Sequence, residues 1–169
     1  MRGRYLGSDL NPDQYYSELA HQYSNPHEPA IAELLRWFKP FLHSRILDIG
    51  CGDGLATRLV GQTIGIDRSP EMILRFKEKT KCEGLVGNFW DVMPQSDVAM
   101  AVYCLHLCPD SRMHQFKWRL KEAGIQTLVV VSPFKRTKDL GLPIIQERKS
   151  SAGPDGKVVW GWAMKVCED

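Results

Sequence analysis

Nowhere does this chain hold the unbroken apolar run of about 20 residues that a membrane-spanning helix needs. Its first residues, MRGRYLGSDLNPDQYY, carry basic side chains without the apolar stretch of a secretory leader. Both absences point to a cytoplasmic protein without a membrane partner. An excess of one charge is missing too. The 22 Lys and Arg residues against 20 Asp and Glu leave a net charge of +2, too small for a dedicated nucleic-acid clamp. There is no internal repeat and no low-complexity tract. Cysteine is sparse and scattered, at Cys51, Cys82, Cys104, Cys108 and Cys167, an odd and dispersed set that reads as reduced thiols rather than a disulfide framework. The one cluster is CLHLC, Cys104 to Cys108 around His106. Its one-residue gaps do not match the C-x₂₋₄-C spacing of zinc sites, so no metal is expected and the thiols read as buried at a strand end.

What is present suits one folded domain spanning residues 1–169, with 43% hydrophobic and 25% charged residues. EPAIAELLRWFKPFL places Ile31, Leu34, Leu35, Phe38 and Leu42 on one helical face. Pro29 suits the first turn of that helix, and Pro40 bends or ends it. RILDI (45–49) reads as a buried strand, GLATRLV as a helix, QTIGID (62–67) as a second strand and SPEMILRFKEKT as a helix capped by Ser69 with Pro70 at its first position. CEGLVG (82–87), DVAMAVYCL (97–105) and QTLVVVS (126–132) supply three more strands. Before the last of these lies a helix expected to start on Asp110 as N-cap and stop at Gly124, with Met113, Phe116 and Leu120 as its apolar stripe. PIIQERKSS and KVVWGWAMKV flank AGPDG, a hairpin signal. Val158, Trp160, Trp162, Met164 and Val166 share one face of the last strand, which is expected to be buried, with the two tryptophans in the core. The small or apolar residues between them suggest cover on both faces. Strands alternating with helices imply an α/β fold, a doubly wound and mostly parallel sheet with helices on both faces, closed by an antiparallel C-terminal hairpin. Only nine residues, NFWDVMPQS, join the third and fourth strands, enough to span roughly 30 Å but with little room for a helix.

The turn GCGDG follows the first strand at the carboxyl edge of the sheet, where ligands bind in doubly wound folds. Gly50 can take positive φ, Gly52 lets a ligand approach the main chain, and Gly54 opens the next helix. The spacing is not the dinucleotide G-x-G-x-x-G, because the third glycine comes one position early. Asp48, two residues before the first glycine, would repel a pyrophosphate but suit a ligand bearing an amine. Asp67 ends the second strand, where an acid accepts both hydroxyls of a ribose. For these two aspartates the alternative is helix capping.

Taken together, ILDIGCGDG…IGIDRSPEMI resembles the class I S-adenosylmethionine-dependent methyltransferases over about residues 29–167. The resemblance implies a seven-stranded Rossmann-like sheet of order 3-2-1-4-5-7-6 and S-adenosylmethionine as cofactor. By position it assigns Asp48, Gly50, Cys51 and Gly52 to the methionine part and Asp67 to the ribose, with Arg68 and Met72 beside the adenine. Asn88 and Phe89 would meet the adenine edge and face, or else form an ordinary turn. Tyr103 and Cys104 would flank the sulfonium. His106, just past the fourth strand, is the candidate catalytic base, or a hydrogen-bonded histidine shaping the loop.

The acceptor is less defined. The place after the fourth strand reads YCLHL, not the N/D-P-P-Y/F of enzymes that methylate adenine or glutamine amino groups. A Lys-Asp-Lys-Glu set for ribose methylation is incomplete. SPFKRTK places Lys135 and Arg136 where they would hold an anionic acceptor, or simply a solvated basic loop. The resemblance implies that the segment 1–28 is a lid, with Tyr15, Tyr16, Tyr23 and His27 as candidate substrate-pocket residues; the alternative is an aromatic helix on the surface. The expected function is methyl transfer to O or N of a small, anionic molecule. The alternatives are an RNA methyltransferase and a non-catalytic cofactor-binding partner subunit.

Overall fold

The structure, a computed structural model, describes residues 24–135 and 140–167. Tyr15, Tyr16, Tyr23 and Arg136, and with them most of the expected lid, lie outside the described residues. Helix α1 (Glu28–Trp37) is followed by a 3₁₀ turn at Lys39–Phe41, where Pro40 ends the α-helical ladder. Then come β1 (Ile46–Ile49), α2 (Leu55–Val60), β2 (Thr63–Asp67), α3 (Pro70–Thr80), β3 (Glu83–Val86) and β4 (Val98–Val102). Helix α4 (Met113–Glu122), β5 (Thr127–Ser132), β6 (Ile144–Ser150) and β7 (Val159–Lys165) complete the order.

The strands form one seven-stranded sheet in the order β3-β2-β1-β4-β5-β7-β6. Its first five strands run parallel, while β7 is antiparallel to both β5 and β6. Both the expected topology and the expected closing hairpin are present. The sheet separates two apolar layers, and its central strands feed them alternately because successive side chains point to opposite faces. In β1, Leu47 and Ile49 join α4's Phe116 and Leu120 on one side, while Ile46 joins α1's Ile31 and Leu34 on the other. In β5, Leu128 and Val130 go one way and Val129 and Val131 the other. Strands covered on both faces are continuous apolar runs, which is why they were readable.

Local chemistry sets the helix ends. Ser69 accepts from the Met72 amide at 3.2 Å and caps α3, with Pro70 at its first turn. Asp110 does not cap α4. Pro109 is extended, residues 110–112 form a 3₁₀ turn closed by Arg112 N to Pro109 O at 2.9 Å, and α4 begins at Met113 without a side-chain cap. The fourth strand stops at Val102 rather than 105 because Tyr103 has φ of 59°. Val158 is 41% exposed, since the hairpin turn extends through it and β7 starts one residue later. Trp162 is core, and Trp160 stacks on it half-buried, with ring centroids 6.4 Å apart.

Candidate active site

At the carboxyl end of β1 the chain turns sharply. Gly50 has φ of 63° and Gly52 of 52°, conformations that L side chains rarely adopt. Nothing lies within 4 Å of a Cβ built on Gly52, whereas one on Gly50 would meet Cys104. The Cys51 amide donates to Ile66 O at 3.1 Å, which pins the turn to the end of β2. One carboxylate then joins the two strand ends. Asp67 Oδ2 accepts from the Gly52 amide at 3.0 Å, and Oδ1 accepts from the Ser69 amide at 2.9 Å. Burial pushes the Asp67 pKa above the ordinary carboxylate value, with those two amides working against the shift.

Above this turn opens a cleft. Its wall includes Gly50, Gly52, Asp67, Arg68 and Met72 on the side of β1 and β2. Asn88 and Phe89 enter from the β3–β4 link, and Tyr103 and Cys104 from the end of β4. The structure therefore gathers nine of the residues singled out in the sequence around one space. Asn88 Nδ2 reaches Asp91 Oδ2 at 3.3 Å. Phe89 is 8% exposed and packs edge-on to Trp90 and Phe116, so most of its ring belongs to the core.

Asp48 and Cys51 stand behind the wall rather than on it. Asp48 is 1% exposed, and its Oδ2 accepts from Thr57 Oγ1 at 2.7 Å, which in turn lies 2.6 Å from Thr63 Oγ1. Burial raises the Asp48 pKa to about 7, opposed by the Thr57 hydrogen bond and reinforced by the Asp67 charge. Cys51 packs with Ile73 and Phe76 under α3. Burial drives the thiols of Cys51 and Cys104 upward, so both remain protonated.

His106 sits in a 3₁₀ turn, Leu105–Leu107, edge-on to Phe134 with ring centroids 5.5 Å apart. Its neighbour Leu107, not His106 itself, forms the cleft wall. Lys135 is exposed beyond β5, with its Nζ 5.4 Å from the centre of the Trp160 ring. Tyr103 is held differently from any expectation. Its Oη is 2.7 Å from His27 Nδ1, and His27 Nε2 is 3.3 Å from Asp155 Oδ2 in the β6–β7 turn. Lys157 binds the same carboxylate at 2.9 Å and holds its pKa well below the usual range.

Sequence reasoning missed Gly87, Trp90, Val102 and Leu107 in the wall. Each adjoins a residue that was named, and the strand-end positions of Val102 and Gly87 were the available signal. The link to Asp155 had no local signal beyond a turn motif.

The arrangement fits a nucleoside with an amino-acid tail. A backbone-anchored acid stands at one strand end, open space lies over Gly52, and a buried acid that a nearby cation would ionise lies behind. Residues 46–124 match the family model described as Methyltransferase domain. No curated protein matches in sequence. Among solved structures, a SAM-dependent methyltransferase from Aquifex aeolicus is 16% identical with a TM-score of 0.67, over 94% of this chain and 100% of that one. The N-methyltransferase NodS from Bradyrhizobium japonicum WM9 is 15% identical with a TM-score of 0.68, over 82% and 94%. Magnesium protoporphyrin IX methyltransferase (ChlM) from Synechocystis PCC 6803, solved with bound SAM, is 14% identical with a TM-score of 0.62, over 95% and 87%.

Proposed function

We propose that the chain, whose residues 46–124 match the Methyltransferase domain model, is a class I S-adenosylmethionine-dependent methyltransferase that methylates an oxygen or nitrogen of a small, anionic molecule. Its cofactor is S-adenosylmethionine, which when bound supplies a methyl group activated by a sulfonium. Asp67 would hold the ribose hydroxyls, since its two oxygens are already oriented by the Gly52 and Ser69 amides. The Asn88 amide would hydrogen-bond the adenine edge. Asp48, pulled toward ionisation by a cationic ligand, would complement the ammonium through the glycine turn.

The observation that carries the small acceptor is the cleft itself. It opens at the carboxyl edge of the sheet between the glycine turn, Asp67, Asn88 and Tyr103, and it must admit both the nucleoside and the reacting end of the acceptor. Lys135, exposed just past β5 and next in sequence to the Phe134 that packs on His106, would offer a cation to an anionic acceptor. The test is incubation with methyl-labelled S-adenosylmethionine and a cell extract divided into metabolite, RNA and protein fractions. Label in the metabolite fraction, retained on anion exchange, is the expected result; label confined to another fraction overturns it.

One observation favours an RNA acceptor as a second reading. Lys135 and Lys149 both approach the Trp160 ring, at 5.4 Å and 6.0 Å from its centroid, and basic groups interleaved with an aromatic suit single-stranded RNA. A steep loss of RNA affinity with rising salt would support it.

A further inference from the structure

Three groups from distant parts of the chain are linked in series behind the cleft wall. Tyr103 follows β4 and lines the cleft, His27 precedes α1, and Asp155 lies in the β6–β7 turn. Tyr103 has φ of 59°, a left-handed conformation that is strained for a non-glycine residue and concentrates at functional sites. That backbone placement puts its hydroxyl on an imidazole that is 13% exposed.

The direction of the hydrogen bonds follows from charge. Lys157 keeps Asp155 ionised, so His27 Nε2, facing it at 3.3 Å, carries the hydrogen. In a neutral imidazole Nδ1 is then bare, and the Tyr103 hydroxyl donates to it at 2.7 Å. We infer that Tyr103 takes the proton from the methyl acceptor and that His27 and Asp155 act behind it as positioning residues of a proton relay. This rests on the proposed transfer to an O–H or N–H group.

The bookkeeping of atoms closes. The acceptor's proton passes to Tyr103 Oη while the tyrosine's own proton passes to His27 Nδ1. The acceptor keeps the electron pair of its X–H bond for the new X–C bond, and the pair of the broken C–S bond stays on sulfur. Tyrosine ends unchanged, and the positive charge rests on an imidazole facing Asp155. Among the described residues, the groups facing His27 are Tyr103 from the β4 end and Asp155, with Lys157 beyond it, from the hairpin turn; Glu28 follows it on its own helix.

The test uses the full chain, Tyr103→Phe and Asp155→Asn, with methyl-labelled S-adenosylmethionine and the small-molecule fraction of a cell extract, from pH 6 to 9. Tyr103→Phe should label about 10²-fold more slowly while binding S-adenosylhomocysteine within about threefold of the parent by calorimetry. Asp155→Asn should lose about tenfold at pH 7 and recover toward pH 9, where bulk base takes over. Nitrogen-15 spectra should show the His27 proton on Nε2, and Asp155→Asn should abolish that preference. Labelling by Tyr103→Phe at the parent rate, or a His27 proton on Nδ1, overturns the relay alone. A parent protein that binds S-adenosylhomocysteine but labels nothing overturns the proposed function, and the relay with it.

Discussion

Cys104 fills the space that a side chain on Gly50 would need. A Cβ at Gly50 would stand 2.5 Å from the Cys104 Cβ and 2.9 Å from its Sγ. The same thiol donates to the Ile49 carbonyl at 3.0 Å, so the ends of β1 and β4 lock together beneath the cleft. Gly50→Ala should therefore be destabilising twice over, through its φ of 63° and through overlap, by about 2–4 kcal/mol in sum. Placing glycine at Cys104 in the Gly50→Ala background removes the overlap and should return more than about 1 kcal/mol of coupling. Chemical denaturation of the two single variants and the double variant measures this, and simple additivity would refute the contact's importance.

Asp67 makes the second prediction. Its carboxylate holds the Gly52 and Ser69 amides in place and is the acid facing the cleft at the β2 end. Asp67→Ala frees both amides and removes the group expected to hold the ribose. Hydrogen bonds to charged groups contribute about 1.5–3 kcal/mol, so affinity for S-adenosylhomocysteine should fall about 10- to 100-fold. Titration calorimetry reads the change, and an unaltered dissociation constant would remove Asp67 from the cofactor site.

Much of this was legible because the signals were local. The central strands β1, β4 and β5 are largely apolar runs buried on both faces, and the GCGDG turn advertises backbone constraints that only glycine meets at low cost. Ser69 and Pro70 mark the start of α3 by their own hydrogen-bonding chemistry. Where expectation failed, a neighbour overrode propensity. Asp110 is a good cap in isolation, but extended Pro109 feeds a 3₁₀ turn there instead. Asp48 does not itself line the cleft, because its place in β1 turns its carboxyl onto Thr57. The links from Tyr103 to His27 and from His27 to Asp155 join residues 76 and 128 positions apart along the chain, and no periodicity or motif encodes such a meeting.

Lys81 tests the reading of helix ends. It closes α3 in the left-handed region with φ of 62°, its amide bonded to Lys77 O at 3.0 Å, and its side chain is exposed. Glycine adopts that conformation without the Cβ penalty. Lys81→Gly should stabilise the fold by about 0.5–1 kcal/mol, a rise of roughly 1–4 °C in Tm for a chain of this size. A fall in Tm would show that the lysine side chain holds the turn in some other way.

Asp48 gives the pH dependence. Burial lifts its pKa from 3.8 to about 7 in the folded protein, so between those values the native state binds more protons than the unfolded chain. Stability from this group is full below pH 3.8 and is lost as pH rises toward 7. Asp67, also shifted upward by burial, adds to the same slope. The ligand-free protein should lose up to about 1 kcal/mol per pH unit across that window. Asp48→Asn should flatten the profile and raise stability at pH 8 relative to the parent. A bound cation near the glycine turn favours the ionised carboxylate, so the Tm increase given by saturating S-adenosylhomocysteine should grow from pH 5 to pH 8 in the parent and stay level in Asp48→Asn. Identical pH profiles for parent and variant, with and without ligand, would mean that Asp48 is ionised throughout and that its burial against Thr57 does not govern its charge.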